Sequence, residues 1–378
     1  MNSEALKTCV RCVMDESASN IRFDNFGVCN FCTDFAAKLP ELSKTQHDSN
    51  AFKQLVDKIK KVGQGKPYDC VVGLSGGVDS SYVLHLVVEA GLRPIAVHLD
   101  NGWNSELAVA NIHSLISRLN IDLYTHVIDW EENRDMQLSM FAAGVIDIEL
   151  LMDNAMLAVN CQIAKKYKLH HVVSGSNKAT EGIRMPKGWN HFKLDVCNIR
   201  AIHKRFGKVP IKTHPLISTV DHLCFKYLSK IEWVSLLDFV DYNKQAAVDL
   251  LVKRYGYVPY PYKHYESVFT RFYQGYILPR KFGVDKRRVH LSTLILSNQM
   301  TREEALEDLK NPPYDPVQLQ RDQQFILKKF GVDEAWFNEY LSAPNHLHLD
   351  YPSELPRWEH WLALWAKLKS RKVVKGTM

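Results

Sequence analysis

The sequence predicts an α/β protein: a doubly wound parallel sheet, preceded by a small cysteine-bearing module and followed by a mostly helical C-terminal region. Three observations predict it. Short apolar runs alternate with segments of helical spacing from residue 68 to about 174, the order of a parallel sheet covered on both faces. A Gly-Gly turn with flanking serines follows the first of these runs, and two Cys-x-x-Cys pairs crowd into the first 32 residues. A length of 378 residues is enough for two domains and an appendage.

Taken in order, the chain opens with Cys9-x-x-Cys12, and after sixteen intervening residues comes Cys29-x-x-Cys32. This spacing fits a tetrahedral zinc site with each pair forming a knuckle, iron being the chemical alternative. A four-cysteine site is closed, so the metal is structural, and its binding folds a segment too short to bury a core of its own. We place this zinc ribbon at 1–42 and a linker in the polar stretch 43–50. Phe52, Leu55, Val56 and Ile59 then recur at helical steps, and Gly63 and Gly65 end that helix. Strands are expected at 70–74, 94–99, 124–128 and 171–174, with helices at 80–89, 107–119 and 154–167. The α/β domain is expected to span 50–215. Strand signals fade beyond about residue 216, so 216–378 is assigned to a helical substrate or partner region, with 223–240 a buried or amphipathic helix. The run Tyr255, Tyr257, Tyr260, Tyr262, Tyr265, Phe269, Phe272 and Tyr273 is expected mainly in a core.

Composition narrows the class. Hydrophobic residues at 46% and charged residues at 24% exclude disorder. The net charge of +6 permits an anionic substrate without requiring nucleic acid. No basic flank followed by an apolar run marks a signal peptide, and Lys226, Lys230, Glu232 and Asp238 disqualify the most apolar later stretch as a bilayer span. A cytoplasmic location without a membrane span is expected, and nucleic acid is not expected as a partner.

The chemistry concentrates in Gly73-Leu74-Ser75-Gly76-Gly77-Val78-Asp79-Ser80, between a predicted strand and a predicted helix. Small residues let backbone approach a phosphate, and free N–H groups at a helix N-terminus attract its charge. It is not the G-x-x-x-x-G-K-[ST] loop, because no lysine follows the glycines. Two strand ends should share its edge of the sheet: His98 and Asp100 after the second strand, and Ser174-Gly175-Ser176-Asn177 after the fourth. Lys178, Glu181 and Arg184 follow in the same loop and could meet an anionic substrate. Further on, Arg280, Lys281, Lys286, Arg287 and Arg288 place five basic residues within ten, charges that could fold back onto a pyrophosphate.

These residues resemble the SGGxDS fingerprint of the PP-loop ATP pyrophosphatases, an adenine nucleotide alpha hydrolase-like fold shared by asparagine, GMP and NAD synthetases and the tRNA thiolases. The resemblance implies ATP cleavage between the α- and β-phosphates. Pyrophosphate would lie on Ser75, Gly76, Gly77, Asp79 and Ser80, with Mg²⁺ helping to carry the charge and Asp79 a possible ligand. The nucleotide site then comprises Gly73 to Ser80 with His98, Asp100, Gly175 and Ser176, and Asp100 matches where the family places adenine. Ser75, Asp79, Lys178 and Lys281 are the expected catalytic residues. Asn177, Lys178, Glu181, Arg184, Arg287 and Arg288 are the expected substrate contacts.

Over nearly its full length the chain is similar to the N-acetyl-sugar amidotransferases, which make acetamidino sugars for bacterial surface polysaccharides such as lipopolysaccharide. The double CxxC and the loop carry part of that likeness. Gly175-Ser176-Asn177 and Lys281-Phe282-Gly283-Val284-Asp285-Lys286-Arg287-Arg288, with Leu291-Ser292-Thr293 and Thr301-Arg302-Glu303-Glu304-Ala305, carry the rest. The resemblance implies adenylylation of the acetamido oxygen of a nucleotide-linked sugar and its displacement by ammonia. Residue 2 is Asn2, and none of Cys70, Cys161, Cys197 and Cys224 sits in a nucleophile turn. Ammonia is therefore expected from a separate glutaminase, similar to that of the synthase pair of histidine biosynthesis. The alternatives are a zinc-ribbon tRNA sulfurtransferase, which would need Cys161 or Cys197 at the ATP site, and a non-catalytic nucleotide sensor or scaffold.

Overall fold

A computed structural model describes residues 6–46, 48–260 and 265–375. His47 of the polar stretch and Tyr262 of the aromatic run lie outside the described residues. Five strands, β1 (Cys70–Gly73), β2 (Pro94–Asp100), β3 (Asp122–Val127), β4 (His171–Ser174) and β5 (Glu232–Ser235), form one sheet in the order β3-β2-β1-β4-β5. Every pairing is parallel.

The two-residue period of a strand sends neighbouring side chains to opposite faces, and both faces are buried here. Val71, Ile95, Val97 and Val172 meet Ala158, Val159 and Ile163 of the helix Leu150–Lys166. Cys70, Val72, Ala96, Val173 and Val234 meet the helices Ser49–Gly63, Val78–Glu89, Glu106–Leu119 and Lys244–Tyr255 through Ile59, Val83, Leu115 and Leu251. Such double burial is why the strands read as continuous apolar runs. The chain moves outward from β1 to β2 and β3, then returns past β1 to place β4 on its other side. The turns after β1 and β4 therefore emerge side by side at the point where the strand order reverses, the usual ligand crevice of an open α/β sheet.

Several expectations need correction. The sheet does not end near residue 215, because β5 takes its far edge at 232–235. The stretch 223–240 is accordingly not one helix. Lys226 lies in a short helix before β5, Lys230 just ahead of it, Glu232 at its first residue and Asp238 in the helical turn after it, which hides a four-residue strand among helical spacings. The polar stretch 43–50 is not a linker: residues 43–46 complete the helix Leu39–Gln46, and Asp48 caps Ser49–Gly63 by accepting from the amides of Asn50 and Ala51. The helix Trp130–Ala143 escaped the sequence reading because Asn133, Gln137 and Ser139 are buried among its apolar residues and blur the periodicity. Its Met136, Met140 and Phe141 join Phe269, Phe272, Tyr273, Phe330 and Phe337 in a second core beside the sheet. The four N-terminal cysteines are part of that same core.

Candidate active site

β1 ends at Gly73, and Leu74 continues its ladder by donating its amide to Val97 O at 2.8 Å. Leu74 itself is buried, so only its backbone faces the turn. The chain then reverses through Gly76, whose φ of +85° a residue with a side chain rarely adopts. A Cβ there would also stand 3.2 Å from the carbonyl oxygen of Ala108. Gly77 begins the helix Val78–Glu89 without a side-chain cap, so the first-turn amides keep their capacity for an anion. Inside the turn, Ser80 Oγ lies 3.2 Å from Ser75 Oγ, accepts from Ser75 N and donates to Gly77 O at 3.1 Å. The turn is held open by its own hydroxyls.

Three tyrosines from the following segment brace it. The hydroxyls of Tyr257 and Tyr260 donate to Gly76 O at 3.1 and 3.3 Å, and that of Tyr242 donates to Asp79 Oδ1. Burial raises all three phenol pKa values, that of Tyr260 to about 12, and the Asp79 carboxylate adds to the rise at Tyr242. They remain protonated donors. The aromatic run is thus partly core and partly a brace for the turn. A Cβ on Gly77 would lie 3.5 Å from Glu266 Oε1, which puts a second carboxylate beside the turn.

The other strand ends support this geometry more than they add ligands. His98 is buried, with Nδ1 2.9 Å from Leu74 O and Nε2 3.0 Å from the Asn104 amide, as the Nδ1–H tautomer satisfies. Asp100 Oδ1 accepts from Gly102 N and Asn104 Nδ2, capping the turn after β2. Gly175 presses on the first turn of Val78–Glu89, and a Cβ there would lie 2.7 Å from Ser80 N. At the tips of β4 and β5, Ser176 Oγ bridges Ser174 and Ser235 at 2.6 and 3.0 Å. Asn177 caps the short helix Lys178–Glu181 through Thr180 N. Ser235 and Tyr242 were missed from sequence, and Tyr257 and Tyr260 were singled out there only within the aromatic run, without a role at the turn. Alternate small polar residues at a strand end would have flagged Ser235 had β5 been recognised.

Past that short helix opens a cleft of about 440 Å³, lined among others by Glu181, Arg184, Arg271, Lys286, Arg287 and His290. Most of its cations are neutralised in place: Arg271 by Asp322, Lys286 by Glu149, and Arg287 by Asp285 and Asp308. Thr180 and Glu181 at its rim follow closely on Gly175, which packs against the first turn of Val78–Glu89, so a few residues of chain connect the cleft to the turn.

A family model described as a phosphoadenosine phosphosulfate reductase domain matches residues 69–238, which hold all five strands. One described as the C-terminal domain of WbpG-like LPS biosynthesis proteins matches residues 266–365. Together the two domain matches support a lipopolysaccharide-biosynthesis family of PP-loop ATP pyrophosphatases. Among solved structures it is similar to an NMN synthetase from Francisella tularensis, at 18% identity and a TM-score of 0.29 over 54% of this chain and 91% of that one. It is likewise similar to an NH3-dependent NAD synthetase from Campylobacter jejuni subsp. jejuni NCTC 11168, at 17% identity and a TM-score of 0.29 over 56% and 97% of the two chains. No curated protein matches the chain.

In this PP-loop protein the cleft is built jointly, one wall coming from residues 180–185 of the PP-loop domain and the other from the WbpG-like domain. It gathers Glu181, Arg184 and Arg287, three of the expected substrate contacts. Two other expectations are not met. Lys281 is buried, its ammonium donating to the carbonyls of Tyr340 and Ala343 at 2.7 and 2.8 Å and lying over the Tyr340 ring. It is a strut between helices and does not reach the PP-loop. Arg288 turns away from the cleft to Asp15 and Val13 O, at 3.0 and 2.7 Å. Lys178 pairs with Asp238 at 3.5 Å near the Ser176 cluster, so its charge is partly compensated at the edge of the site.

The cysteine cluster is assembled as the spacing implied. The Sγ atoms of Cys9 and Cys32, Cys12 and Cys29, and Cys29 and Cys32 lie 3.7–3.8 Å apart, and all four lie within 4.8 Å of one another. Sulfur ligands about 2.3 Å from a tetrahedral zinc stand about 3.8 Å from each other, so the residues fit that ion. Backbone amides of Arg11, Met14 and Cys29 point at the sulfurs, an outer shell suited to thiolates. Arg302 donates to Cys9 O and Cys12 O, and Ser292 accepts from Val13 N, fixing the ribbon onto the WbpG-like domain.

Proposed function

We propose that the chain is an AMP-forming, ATP-dependent amidotransferase that converts the acetamido group of a nucleotide-linked N-acetyl sugar into an acetamidino group during lipopolysaccharide biosynthesis. The single observation that carries this reading is the cleft built jointly by residues 180–185 of the PP-loop domain and by the WbpG-like domain, its rim beginning five residues beyond Gly175, which packs on the PP-loop helix at Ser80. A PP-loop alone would serve any adenylating enzyme. A substrate cleft completed by the WbpG-like domain ties the adenylation to a surface-sugar substrate.

In the proposed reaction the acetamido oxygen attacks the α-phosphorus of ATP, and pyrophosphate leaves onto the first-turn amides, Ser75 and Ser80. Asp79, held by Tyr242, would help to retain Mg²⁺, which supplies charge neutralisation at the phosphates. Ammonia then adds to the imidate carbon, AMP departs with the original oxygen, and the nitrogen gained carries one proton to give the amidine. Positioning and electrostatic stabilisation supply most of the rate, because each bond change occurs at a phosphate or at a carbon already activated. Arg184, exposed in the cleft without an ion-pair partner among the described residues, would meet an anionic group of the substrate.

Cys70 and Cys161 are buried, the Cys161 thiol being pushed up to about 11 by burial, and Cys197 lies on the helix Val196–Phe206. This disfavours a sulfur-carrying thiolase, whose cysteines would need to reach the PP-loop as thiolates. It also favours ammonia delivered by a separate glutaminase. Release of AMP and pyrophosphate should be measured with ammonium over a panel of N-acetylated nucleotide sugars and with bulk tRNA. Release that requires a sugar and yields a product about one mass unit lighter supports the reading. Release that requires only tRNA defeats it.

A further inference from the structure

The helix Leu355–Lys375 leaves the body of the protein in its second turn. Trp358 still stacks on Phe192, at 5.7 Å between ring centroids, but every residue from Glu359 to Lys367 is exposed. Trp361 stacks on Trp358 at 5.4 Å and Trp365 on Trp361 at 5.6 Å, an indole ladder with Leu362 on the same stripe. Trp361, Leu362, Leu364 and Trp365 are 39–46% exposed. Leaving large apolar side chains in water forfeits about 25 cal/mol per Å², and a contiguous exposed patch of this kind marks an interaction surface. The same helix has Arg357, Lys367, Lys369, Arg371, Lys372 and Lys375 against Glu359 alone, a net of +5 in a chain whose formal charge is +6. The rest of the molecule is close to neutral, and nearly all its excess positive charge rides on one projecting helix.

We propose that this helix lies in the headgroup layer of an anionic lipid bilayer. Its indoles and leucines enter the acyl boundary and its basic residues sit among the phosphates. Tryptophan with leucine on one stripe and lysine or arginine beyond it is the composition of helices that rest in a membrane interface. The charge is complementary to an anionic leaflet and collected at one end, where each basic residue adds to the attraction. The helix is not long and apolar enough to cross a membrane, so it rests on the surface. A helical protein partner would be matched by charges of both signs beside the seam, whereas here a single acidic residue stands among six basic ones.

The test is flotation of the full chain with vesicles of phosphatidylglycerol and phosphatidylethanolamine, compared with vesicles of phosphatidylcholine. The chain should float with the anionic vesicles at low salt and be released towards ~1 M salt, where the Debye length falls to about 3 Å. Its tryptophan emission should shift to the blue on binding. The double substitutions Trp361→Ala with Trp365→Ala, and Lys367→Glu with Lys372→Glu, should each weaken partitioning by roughly tenfold or more. The tryptophan pair should keep the parent's melting temperature, since both side chains are exposed. Equal flotation with neutral vesicles, no flotation at all, or variants that float like the parent would overturn the proposal. So would tight retention of the chain on single-stranded polynucleotide without vesicle binding, the outcome expected if the indoles stack on bases.

Discussion

Gly175→Ala adds one methyl group at the most crowded point of the PP-loop. That carbon would stand 2.7 Å from Ser80 N, 2.9 Å from the carbonyl carbon of Asp79 and 3.1 Å from Ser80 Cα. All three are backbone atoms of a helix whose Ser80, Ser81, Val83 and Leu84 are buried, so no side chain can swing aside. Restoring ordinary contact requires the 175 segment and the first turn of the helix to part by roughly 0.7 Å, most of it borne by the amides and hydroxyl that would hold pyrophosphate. Overpacking of this kind costs about 1–3 kcal/mol of stability. Displacing a binding group by about 1 Å costs up to 100-fold in rate. The expected result is a modestly lowered melting temperature together with a 10- to 100-fold fall in AMP formation. Gly73→Ala serves as the comparison, because its methyl would meet only the Asn160 side chain, at 3.3 Å, and should cost several-fold less. A Gly175→Ala enzyme with parental activity and melting temperature would refute the claim that this glycine sets the position of the PP-loop.

Tyr242→Phe removes the hydroxyl bonded to Asp79. Hydrogen bonds to charged groups contribute about 1.5–3 kcal/mol, so kcat/KM for ATP should fall by roughly tenfold to a hundredfold, with circular dichroism unchanged. Lys281→Met should lower the melting temperature by the loss of two buried donor contacts, about 1–3 kcal/mol, while kcat of the folded fraction stays at the parental value. A collapse of kcat without loss of stability would return Lys281 to the catalytic set. Chelation, or Cys12→Ser, should release zinc measurable by atomic absorption and expose the ribbon to proteolysis. Acid should destabilise the fold. Burial first, with smaller charge effects, holds His348 down to about 3 and His171 and His214 to about 4. Their unfolded values are near 6.5, so the unfolded chain binds more protons between about pH 4 and 6.5. Stability should therefore rise with pH across that window, by up to about 1.4 kcal/mol per pH unit for each histidine. A melting temperature flat from pH 4.5 to 6.5 would contradict these pKa directions.

How much of this was legible in the sequence depended on whether a local pattern had a local cause. The PP-loop was readable because its backbone geometry demands glycine at Gly76 and small hydroxyls at Ser75 and Ser80, all within eight residues of chain. The ribbon was readable because metal geometry dictates cysteine spacing, and β1, β2 and β4 because double burial leaves runs that are mostly apolar. The failures have the opposite origin. β5 is an edge strand of four residues with Glu232 facing out, and nothing local separates it from a helical turn. Lys281, Arg287 and Arg288 are consecutive basic residues or nearly so, yet the fold sends one into a core, one to a cleft and one to the ribbon. Charge composition cannot tell these apart, because each fate is set by partners 21 to 275 residues away in the chain, from Asp308 to Val13 by way of Tyr340. The bracing of Gly76 by Tyr257 and Tyr260 is equally invisible beforehand, since aromatic spacing looks the same in a core and over a turn.

The helix Arg287–Leu296 presents adjacent residues to two different places, Arg287 to the cleft and Arg288 to the carbonyl and carboxylate of the ribbon at Val13 and Asp15. A rigid rod gripped at one side transmits any tilt to the other. The segment that carries the cysteine cluster is therefore tied through Arg288 to the helix that forms part of one wall of the cleft. On the proposed function, removing a metal from it should change affinity for the sugar before it changes affinity for ATP, so that metal supply would adjust substrate capture through a ribbon proposed to be structural.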